Sequence, residues 1–307
     1  MATTQTITTS YSGESAQKYV AAALLSGVTI ENGGIEIMPN VKFKSVVQKL
    51  NIDDVIKDAS CDFDPTSTVT INERVIEPTF QQVNLQLCKK DYISTFMAQE
   101  MGFSAHNDLP SNFADFLIGH VAAKVAEKTE QNIWRGSASN NGEFDGLTTK
   151  MAADSDVVDV SATTVNSGNV IAQLGAIVDA APSALFGQED LTLYVSRNIY
   201  QAYIRSLGGF GTSGLGAAGY RSEGNNQIIQ PAYFDGIRVF LATGLADNRA
   251  VLAQKSNLYF GTGLLEDHNE VKVIDMADID GSDNVRVVMR FSAGVQYGVG
   301  SDIVLYS

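Results

Sequence analysis

Alternation of apolar and polar residues predicts a β-hairpin in the first quarter of the chain. Within residues 52–78, apolar residues alternate with aspartates around Cys61 and with threonines around Val69, and a turn is expected at 64–67. The two runs carry few apolar residues, and an isolated two-stranded hairpin is only marginally stable in water. We therefore expect the hairpin to lie against another surface, supplied by this chain or by a neighbouring copy.

The segments on either side of this hairpin are amphipathic as well. Residues 41–51 suit either a short amphipathic helix or a strand, and residues 80–96 form a predicted strand with a valine and two leucines on one face. Residues 1–40 are predicted to form an arm that contains a short helix at 15–25. Two glycines and a proline in "ENGGIEIMPN" end this helix.

A long amphipathic helix is the strongest local prediction. Apolar residues recur every four positions from Phe113 to Val125, and charged and amide side chains fill the opposite face. Pro110 marks the start, and Gly136 marks the end. The pattern predicts a helix over about 112–135, which is well above the average helix length.

From about residue 168 the pattern changes to alternating helices and strands, followed by a strand-rich tail. The predicted elements are helices at 169–185 and 197–207, strands at 191–196, 236–243 and 250–261, and tail strands at 268–276, 284–299 and 302–307.

The composition of the chain limits the classes of protein to which it can belong. The chain has 307 residues, of which 44% are hydrophobic and 18% charged, and its formal net charge is −14. This composition is typical of globular domains, and the negative charge disfavours a broad DNA-binding or anionic-membrane face. Cys61 and Cys88 lack CxxC spacing, which favours a reduced, intracellular setting. The polar N-terminus without a basic region predicts no secretory signal, and no apolar stretch is long enough for a transmembrane helix.

A glycine-rich run, "LGGFGTSGLGAAGYRS" at 207–222, matches the G-x-G-x-x-G pattern twice, from Gly209 and from Gly214. A dinucleotide site needs these glycines after a strand and before a helix, so that the pyrophosphate meets free N–H groups. Here they follow a predicted helix, and no helix follows them. Asp235 has the spacing of a ribose-binding acid but precedes a strand. The run is therefore predicted to be a mobile loop of low side-chain volume.

Metal and catalytic patterns do not single out any residues. His106, His120 and His268 lack metal-ligand spacing, and the acidic stretch 275–284 fails the EF-hand register, which favours an acidic turn between two strands. There is no G-x-S-x-G elbow. We predict no catalytic, cofactor-binding or metal-binding residues.

Several phrases, in their order and spacing along nearly the whole chain, resemble the major capsid proteins of tailed double-stranded DNA phages, which share the Hong Kong 97-type fold. The phrases are "ERVIEPTFQQVNLQLCKKDY" (73–92), "LPSNFADFLIGHVAAKVAEKTEQNIWRG" (109–136), "FDGL" (144–147), "YFDGIRVFLATGL" (233–245), "NLYFGTG" (257–263) and "VRVVMRFSAGVQYG" (285–298). The second resembles that family's spine helix.

The resemblance implies an α+β Hong Kong 97-type capsid fold with defined parts. These are an N-terminal arm at 1–40, a short helix and extended loop at 41–85, a peripheral domain at 86–167 and 263–307 that contains the spine helix, and an axial domain at 168–262. The extended β-hairpin loop, at about 52–80, would reach over the adjacent subunit, and the glycine run would be an axial-domain loop.

The function implied by the resemblance is that of a major capsid protein, not an enzyme. Copies would form pentamers and hexamers of an icosahedral phage head that encloses double-stranded DNA without sequence-specific binding. No cofactor is implied. The partners implied are other copies of the chain and separate scaffolding, portal and decoration proteins, without a membrane. The expected location is the virion capsid, assembled in the host cytoplasm.

Two departures from the family pattern carry predictions. No helical scaffolding segment precedes the arm, so we expect a separate scaffolding protein or none. Lys57 is the only lysine between residues 53 and 85 and has no matching partner for a covalent cross-link, so we expect non-covalent assembly. Two alternatives remain: an encapsulin-type nanocompartment shell protein, and a nucleotide-binding enzyme that uses the glycine run.

Overall fold

The structure is a computed structural model of the chain. It describes residues 28–41, 43–52, 69–88, 111–207, 220–223, 226–229, 232–263 and 272–307, together with positions 56, 58, 59 and 61. The sequence predictions that lie wholly outside the described residues are those for the helix at 15–25, the turn at 64–67, Lys57, His106, His268 and the glycines from 208 to 219. The arm at 1–40, the strand at 80–96 and the tail strand at 268–276 lie partly outside them.

The described residues form six α-helices and fifteen strands. The helices are α1 (Val28–Glu31), α2 (Ser111–Arg135), α3 (Leu147–Ala152), α4 (Val170–Asp179), α5 (Arg197–Ser206) and α6 (Ala277–Asp280). The strands are β1 (Glu36–Met38), β2 (Ser45–Ile52), β3 (Val69–Ile76), β4 (Thr79–Cys88), β5 (Val158–Val160), β6 (Leu191–Val195), β7 (Tyr220–Glu223), β8 (Asn226–Ile229), β9 (Ala232–Phe234), β10 (Ile237–Leu241), β11 (Ala250–Gln254), β12 (Leu258–Thr262), β13 (Lys272–Asp275), β14 (Asn284–Tyr297) and β15 (Val304–Tyr306).

The chain divides into two compact units, and both contain discontinuous segments. The first consists of residues 1–26, 80–128 and 264–292. Within it, β13 pairs antiparallel with the N-terminal half of β14, from Lys272 opposite Val288 to Asp275 opposite Val285, and β4 also pairs with β14. Apolar residues alternate along this part of β14, which buries one of its faces.

The second unit consists of residues 27–79, 129–263 and 293–307, and its main feature is a six-stranded mixed sheet. The strand order is β5-β15-β11-β6-β10-β9, and the central strand β6 is buried at every position. One face of the sheet is covered by α4 and α5, because both helices direct their apolar stripes into the same cluster as Leu191, Leu193 and Val195.

The opposite face of this sheet carries a second apolar layer. Tyr194, on β6, packs its ring 5.1 Å from that of Trp134, at the end of α2, and 5.4 Å from the ring of Phe240. The Tyr194 hydroxyl donates a hydrogen bond to the backbone carbonyl of Gly34. The last turns of α2 and the turn after α1 are thereby fixed to the sheet.

The second unit also contains a three-stranded assembly and a long two-stranded hairpin. β1 runs parallel to β12, and β12 pairs antiparallel with β14 residues 293–297. β2 and β3 form the hairpin, with eight consecutive paired positions from Ser45 opposite Ile76 to Ile52 opposite Val69.

Most predicted elements are confirmed. The long helix spans Ser111–Arg135, the strand after the hairpin spans Thr79–Cys88, and the acidic stretch links β13 to β14 through α6. The helices and strands predicted at 169–207 and at 284–307 are also present, except that the helix predicted at 169–185 ends at Asp179 and a separate 3₁₀ turn follows at Ser183–Leu185. The division of the chain into arm, extended loop, peripheral domain and axial domain stays a prediction. We note that the six-stranded sheet takes strands from 158–160 and 304–306 as well as from 168–262.

Two local predictions are wrong. Of the helix and the strand that both suit residues 41–51, the structure shows a strand, β2, so the short helix implied within 41–85 is wrong. β2 is also the outgoing strand of the hairpin, in place of the run around Cys61. β-Branched residues in β2 and eight ladder pairs with β3 favour this arrangement.

The strand predicted at 250–261 is two strands, β11 and β12, separated by a 3₁₀ turn at Lys255–Asn257. Asp190 stabilises the break, because its backbone carbonyl accepts the Lys255 amide at 3.1 Å and its carboxylate accepts the Ser256 amide at 3.3 Å.

Candidate functional site: the β2–β3 hairpin and its base

The register of the hairpin places its residues on two chemically different faces. Residues directly opposite each other in an antiparallel pair share a face. One face therefore combines Val46 with Val75 and Gln48 with Glu73, and it continues to Ile71 on β3. The other face combines Val47 with Arg74, and Ser45 with Ile76. We call the first the apolar face and the second the anchor face.

Side chains of the apolar face are open to solvent. The exposed fractions are 46% for Val46, 60% for Ile71 and 41% for Val75, and Phe43, just before β2, is 76% exposed. Scattered exposed apolar residues are common on proteins, but a row of them along one face of a two-stranded hairpin is not expected for a monomer. Fully burying one such side chain contributes about 1.5–3 kcal/mol.

The anchor face fixes the base of the hairpin to the body of its unit. Ile76 is completely buried, and a Cβ atom at Gly261, on β12, would lie 2.7 Å from the Ile76 Cδ1 atom. A glycine at 261 therefore permits the close approach of β12 to the hairpin base. Gln296 Nε2, on β14, donates a hydrogen bond of 2.9 Å to the Val75 carbonyl oxygen.

A polar cluster completes this attachment. The Arg74 guanidinium donates to Asp154 Oδ2 at 2.5 Å, and the Tyr297 hydroxyl donates to the same oxygen at 2.8 Å. The Arg74 guanidinium carbon also lies 4.5 Å from the centre of the Tyr297 ring. One arginine of the hairpin is thus held by a carboxylate from the loop after α3 and by an aromatic face from β14.

The cluster shifts the pKa values of its members in opposite directions. Burial acts to raise the pKa of Asp154, but hydrogen bonds from the Asp156 amide, Tyr297 and Arg74 outweigh it and lower the pKa. Burial and the neighbouring Asp154 carboxylate raise the pKa of Tyr297. Asp154 is therefore ionised and Tyr297 neutral at pH 7, so the arginine has one full negative charge as its partner.

A cavity of about 330 Å³ lies beside this cluster. It is lined by Lys49, Glu73, Arg74, Asp156, Gly298 and Gly300. Both signs of charge are present in its walls, so it does not select an anion or a cation. We regard it as part of the junction between hairpin and body.

The residues considered in the sequence do not form a chemical site. His120 lies on α2, and Cys61 and Cys88 are both free thiols. Asp235 occupies the turn between β9 and β10, with a φ of 48°, and precedes β10 as the sequence indicates. Over the described ranges, no cluster of three or more His, Cys, Asp or Glu side chains is arranged to hold a metal ion. In the same residues, no helix combines the length and the apolar character needed to cross a bilayer.

Sequence reasoning missed Arg74, Asp154 and Tyr297. These three residues are separated by 80 and 143 positions, and only the folded chain brings them together. The only available signal was an arginine inside a predicted strand, and that signal does not identify a partner.

A long hairpin attached to an α+β body is a fold that the chain shares with solved phage capsid structures. The chain is similar to the capsid of the native GTA particle, at 12% identity and a TM-score of 0.61, over 94% of this chain and 93% of the other. It is also similar to a structure from Gordonia phage Cozz, at 11% identity and a TM-score of 0.61, over 97% and 91%. A structure from Mycobacterium phage Adephagia matches at 15% identity and a TM-score of 0.57, over 95% and 94%.

These similarities confirm the predicted Hong Kong 97-type capsid fold over almost the full length of the chain. At identities of 11–15% they establish the fold alone. No protein-family model matches the sequence. No curated protein matches it either.

Proposed function

We propose that the chain is the major capsid protein of a tailed phage, a structural protein and not an enzyme. Its copies assemble into the pentamers and hexamers of an icosahedral head that encloses double-stranded DNA. The observation that carries this proposal is the apolar face of the β2–β3 hairpin, which projects exposed valine and isoleucine side chains on an element that is rigidly attached at its base. The fold shared with phage capsids supports the same conclusion.

The hairpin provides the means of association. Three partly exposed side chains, Val46, Ile71 and Val75, lie on one face. Covering them with a neighbouring copy removes apolar surface from water, and each fully buried side chain contributes about 1.5–3 kcal/mol. Repeated in every copy of a closed shell, such contacts form the large interfaces typical of obligate assemblies.

The net charge of −14 supports a container that does not adhere to its nucleic acid. We propose that the assembled protein resides in the virion capsid after assembly in the host cytoplasm. Scaffolding, portal and decoration proteins would be separate partners.

The experiment is to purify the full chain and record its size by light scattering and negative-stain microscopy. Rings of five or six copies or closed particles are expected. Ile71→Asp should prevent them while leaving the circular dichroism spectrum of the subunit unchanged, since the side chain is exposed. Ile279→Asp is the matched control, because Ile279 is similarly exposed, at 67%, and lies on α6 instead of the hairpin. A wild-type chain that stays monomeric at high concentration would overturn the proposal.

Particle contents separate the phage head from a nanocompartment. Particles purified from the natural source should contain double-stranded DNA. An enzyme cargo without DNA would support an encapsulin-type shell protein and contradict the phage assignment.

A further inference from the structure

The carboxyl group of Glu130, on α2, is buried inside the subunit, and the proposed association of subunits gives no reason for a carboxyl group at this place. Glu130 is 1% exposed, and it is the only fully buried acidic or basic side chain in the part of the chain that the structure describes. Burying an ionised carboxylate without a cation is costly, so its surroundings decide its state of protonation.

The hydrogen-bond partners of this carboxyl group are neutral and come from two other segments. The Thr29 amide, in α1, donates to Glu130 Oε2 at 3.0 Å, and the Thr29 hydroxyl donates to Oε1 at 2.5 Å. The Gly244 amide, after β10, also bonds to it. The Trp134 indole N–H, one helical turn along α2, donates to the Thr29 hydroxyl oxygen at 2.8 Å. Thr29 thus makes three of these hydrogen bonds, two to Glu130 and one from Trp134.

The charged groups on the elements packed around Glu130 are all at least partly open to solvent. Those that are exposed are Glu31 on α1, Arg135 on α2, Arg238 on β10 and Asp247 on the loop after it, and those that are half-buried are Glu127 on α2, Arg249 on the loop after β10 and Lys255 beside the turn after α1. Tyr194, on β6, contacts Trp134, and burial raises its pKa, so it is uncharged at neutral pH. The state of Glu130 therefore depends mainly on its own burial and on its hydrogen bonds.

We propose that Glu130 holds α1, the first helix after residues 1–27, against the C-terminal part of α2 in a proton-dependent way. We call the contacts between Glu130, Thr29 and Trp134 the clasp. With its proton bound, the carboxyl group carries no charge, and its carbonyl oxygen still accepts a hydrogen bond from Thr29. Without the proton, a full charge is buried, and release of α1 lets water solvate it.

The direction of the pH dependence follows from the burial. Burial raises the pKa of Glu130 above its ordinary value of 4.5, and the bonds from Thr29, Gly244 and Trp134 only partly offset this. The closed clasp therefore binds the proton more tightly than the released carboxyl group does. The clasp is strongest below the ordinary glutamate pKa of 4.5 and weakens as the pH rises through the raised pKa. This inference rests on the geometry around Glu130 and does not depend on the proposed capsid function.

Trp134 is the only tryptophan in the chain and lies within the clasp, so its fluorescence reports on it directly. The test is a pH titration of Trp134 emission in the full-length protein between pH 4 and pH 9. The wild type should show a transition with a midpoint above 4.5. Glu130→Gln should abolish it, and Glu31→Gln, which alters an exposed carboxylate on α1, should leave it unchanged. The same transition in Glu130→Gln would overturn the proposal.

Thr29→Val provides a second test, in which the midpoint of the transition is shifted instead of the transition being abolished. Valine has nearly the same shape as threonine but cannot donate the hydrogen bond that lowers the pKa of Glu130. The midpoint should therefore move upward. Hydrogen exchange of the amides at 28–34, corrected for intrinsic rates, should lose protection over the same pH range. A midpoint that stays fixed or moves downward, or protection that does not follow the emission, would contradict the clasp even if Glu130→Gln fails to fold.

Discussion

The guanidinium group of Arg74 packs 4.5 Å from the centre of the Tyr297 ring, and both side chains donate a hydrogen bond to the same carboxylate oxygen of Asp154. One carboxylate oxygen therefore links the hairpin to β14 through two hydrogen bonds. The next two residues are fixed as well, because Gln296 Nε2 donates to the Val75 carbonyl oxygen and Ile76 is buried, so the base of the hairpin is rigid while its apolar face stays exposed.

We expect Arg74→Ala to loosen the hairpin without unfolding the body. Asp154 would lose a charged partner and Tyr297 a stacked cation, which together cost about 1.5–3 kcal/mol. Urea unfolding measures the loss of stability, and hydrogen exchange at 69–76 should show it locally. Lys44→Ala is the control, because the Lys44–Glu77 ion pair is 61% exposed on both sides and contributes under about 1 kcal/mol. Equal effects of the two substitutions would contradict the role assigned to Arg74.

The attachment of the hairpin should weaken on acidification. The hydrogen bonds to Asp154 hold its pKa below the usual range despite partial burial, so its contribution is present above the ordinary aspartate pKa and is lost as the pH falls through the lowered value. Protection of the amides at 69–76 should fall in that range in the wild type. Asp154→Asn should show low protection at neutral pH and little further change on acidification, and a wild-type-like acid transition in this variant would exclude Asp154 as its cause.

A double-mutant cycle between β12 and the hairpin tests their close approach. Gly261→Ala places a methyl group 2.7 Å from the Ile76 Cδ1 atom, and overpacking of this kind costs about 1–3 kcal/mol. Ile76→Val alone costs about 0.5–1.5 kcal/mol but removes the Cδ1 atom. The double variant should therefore be more stable than the sum of the single effects predicts, by about 1 kcal/mol. Chemical denaturation measures all three free energies of unfolding, and simple additivity would show that the two residues do not conflict.

Two glycines should respond oppositely to substitution by alanine. A Cβ at Gly244 would lie 2.1 Å from the Glu130 backbone carbonyl oxygen, and backbone atoms of a helix cannot move aside, so we expect a loss of at least about 3 kcal/mol. Gly175, on α4, has no heavy atom within 4 Å of the corresponding position. Gly175→Ala should stabilise the protein by about 0.5–1 kcal/mol, because alanine is the better helix former. Thermal melting of the two variants in parallel decides the prediction.

Elements with a strong periodic pattern could be predicted from the sequence. The four-residue period from Phe113 to Val125 placed α2 to within one residue at its start, and the apolar alternation of 284–299 gave β14. The resemblance to phage capsid proteins, based on the order of short phrases, gave the fold that the structural similarities confirm.

Features set by tertiary contacts could not be predicted. β2 is a strand because β3 pairs with it along eight positions, whereas its own sequence also suits a helix. The break at Lys255–Asn257 depends on Asp190, which lies 65 residues earlier at its nearest contact. The Arg74 cluster and the Glu130 clasp likewise join side chains from segments far apart in sequence, and no local pattern marks such pairs.

Within the described residues, the β2–β3 ribbon is a sheet of two strands, so each strand has one edge that pairs with no described strand. Open edges act as templates for further strands, and a flat apolar ribbon would promote growth of fibres. Lys49 and Glu73 place charges on this ribbon, where a third strand would have to desolvate them. When both are replaced with threonine, the protein should therefore form open-ended, amyloid-like fibres instead of closed particles of finite size.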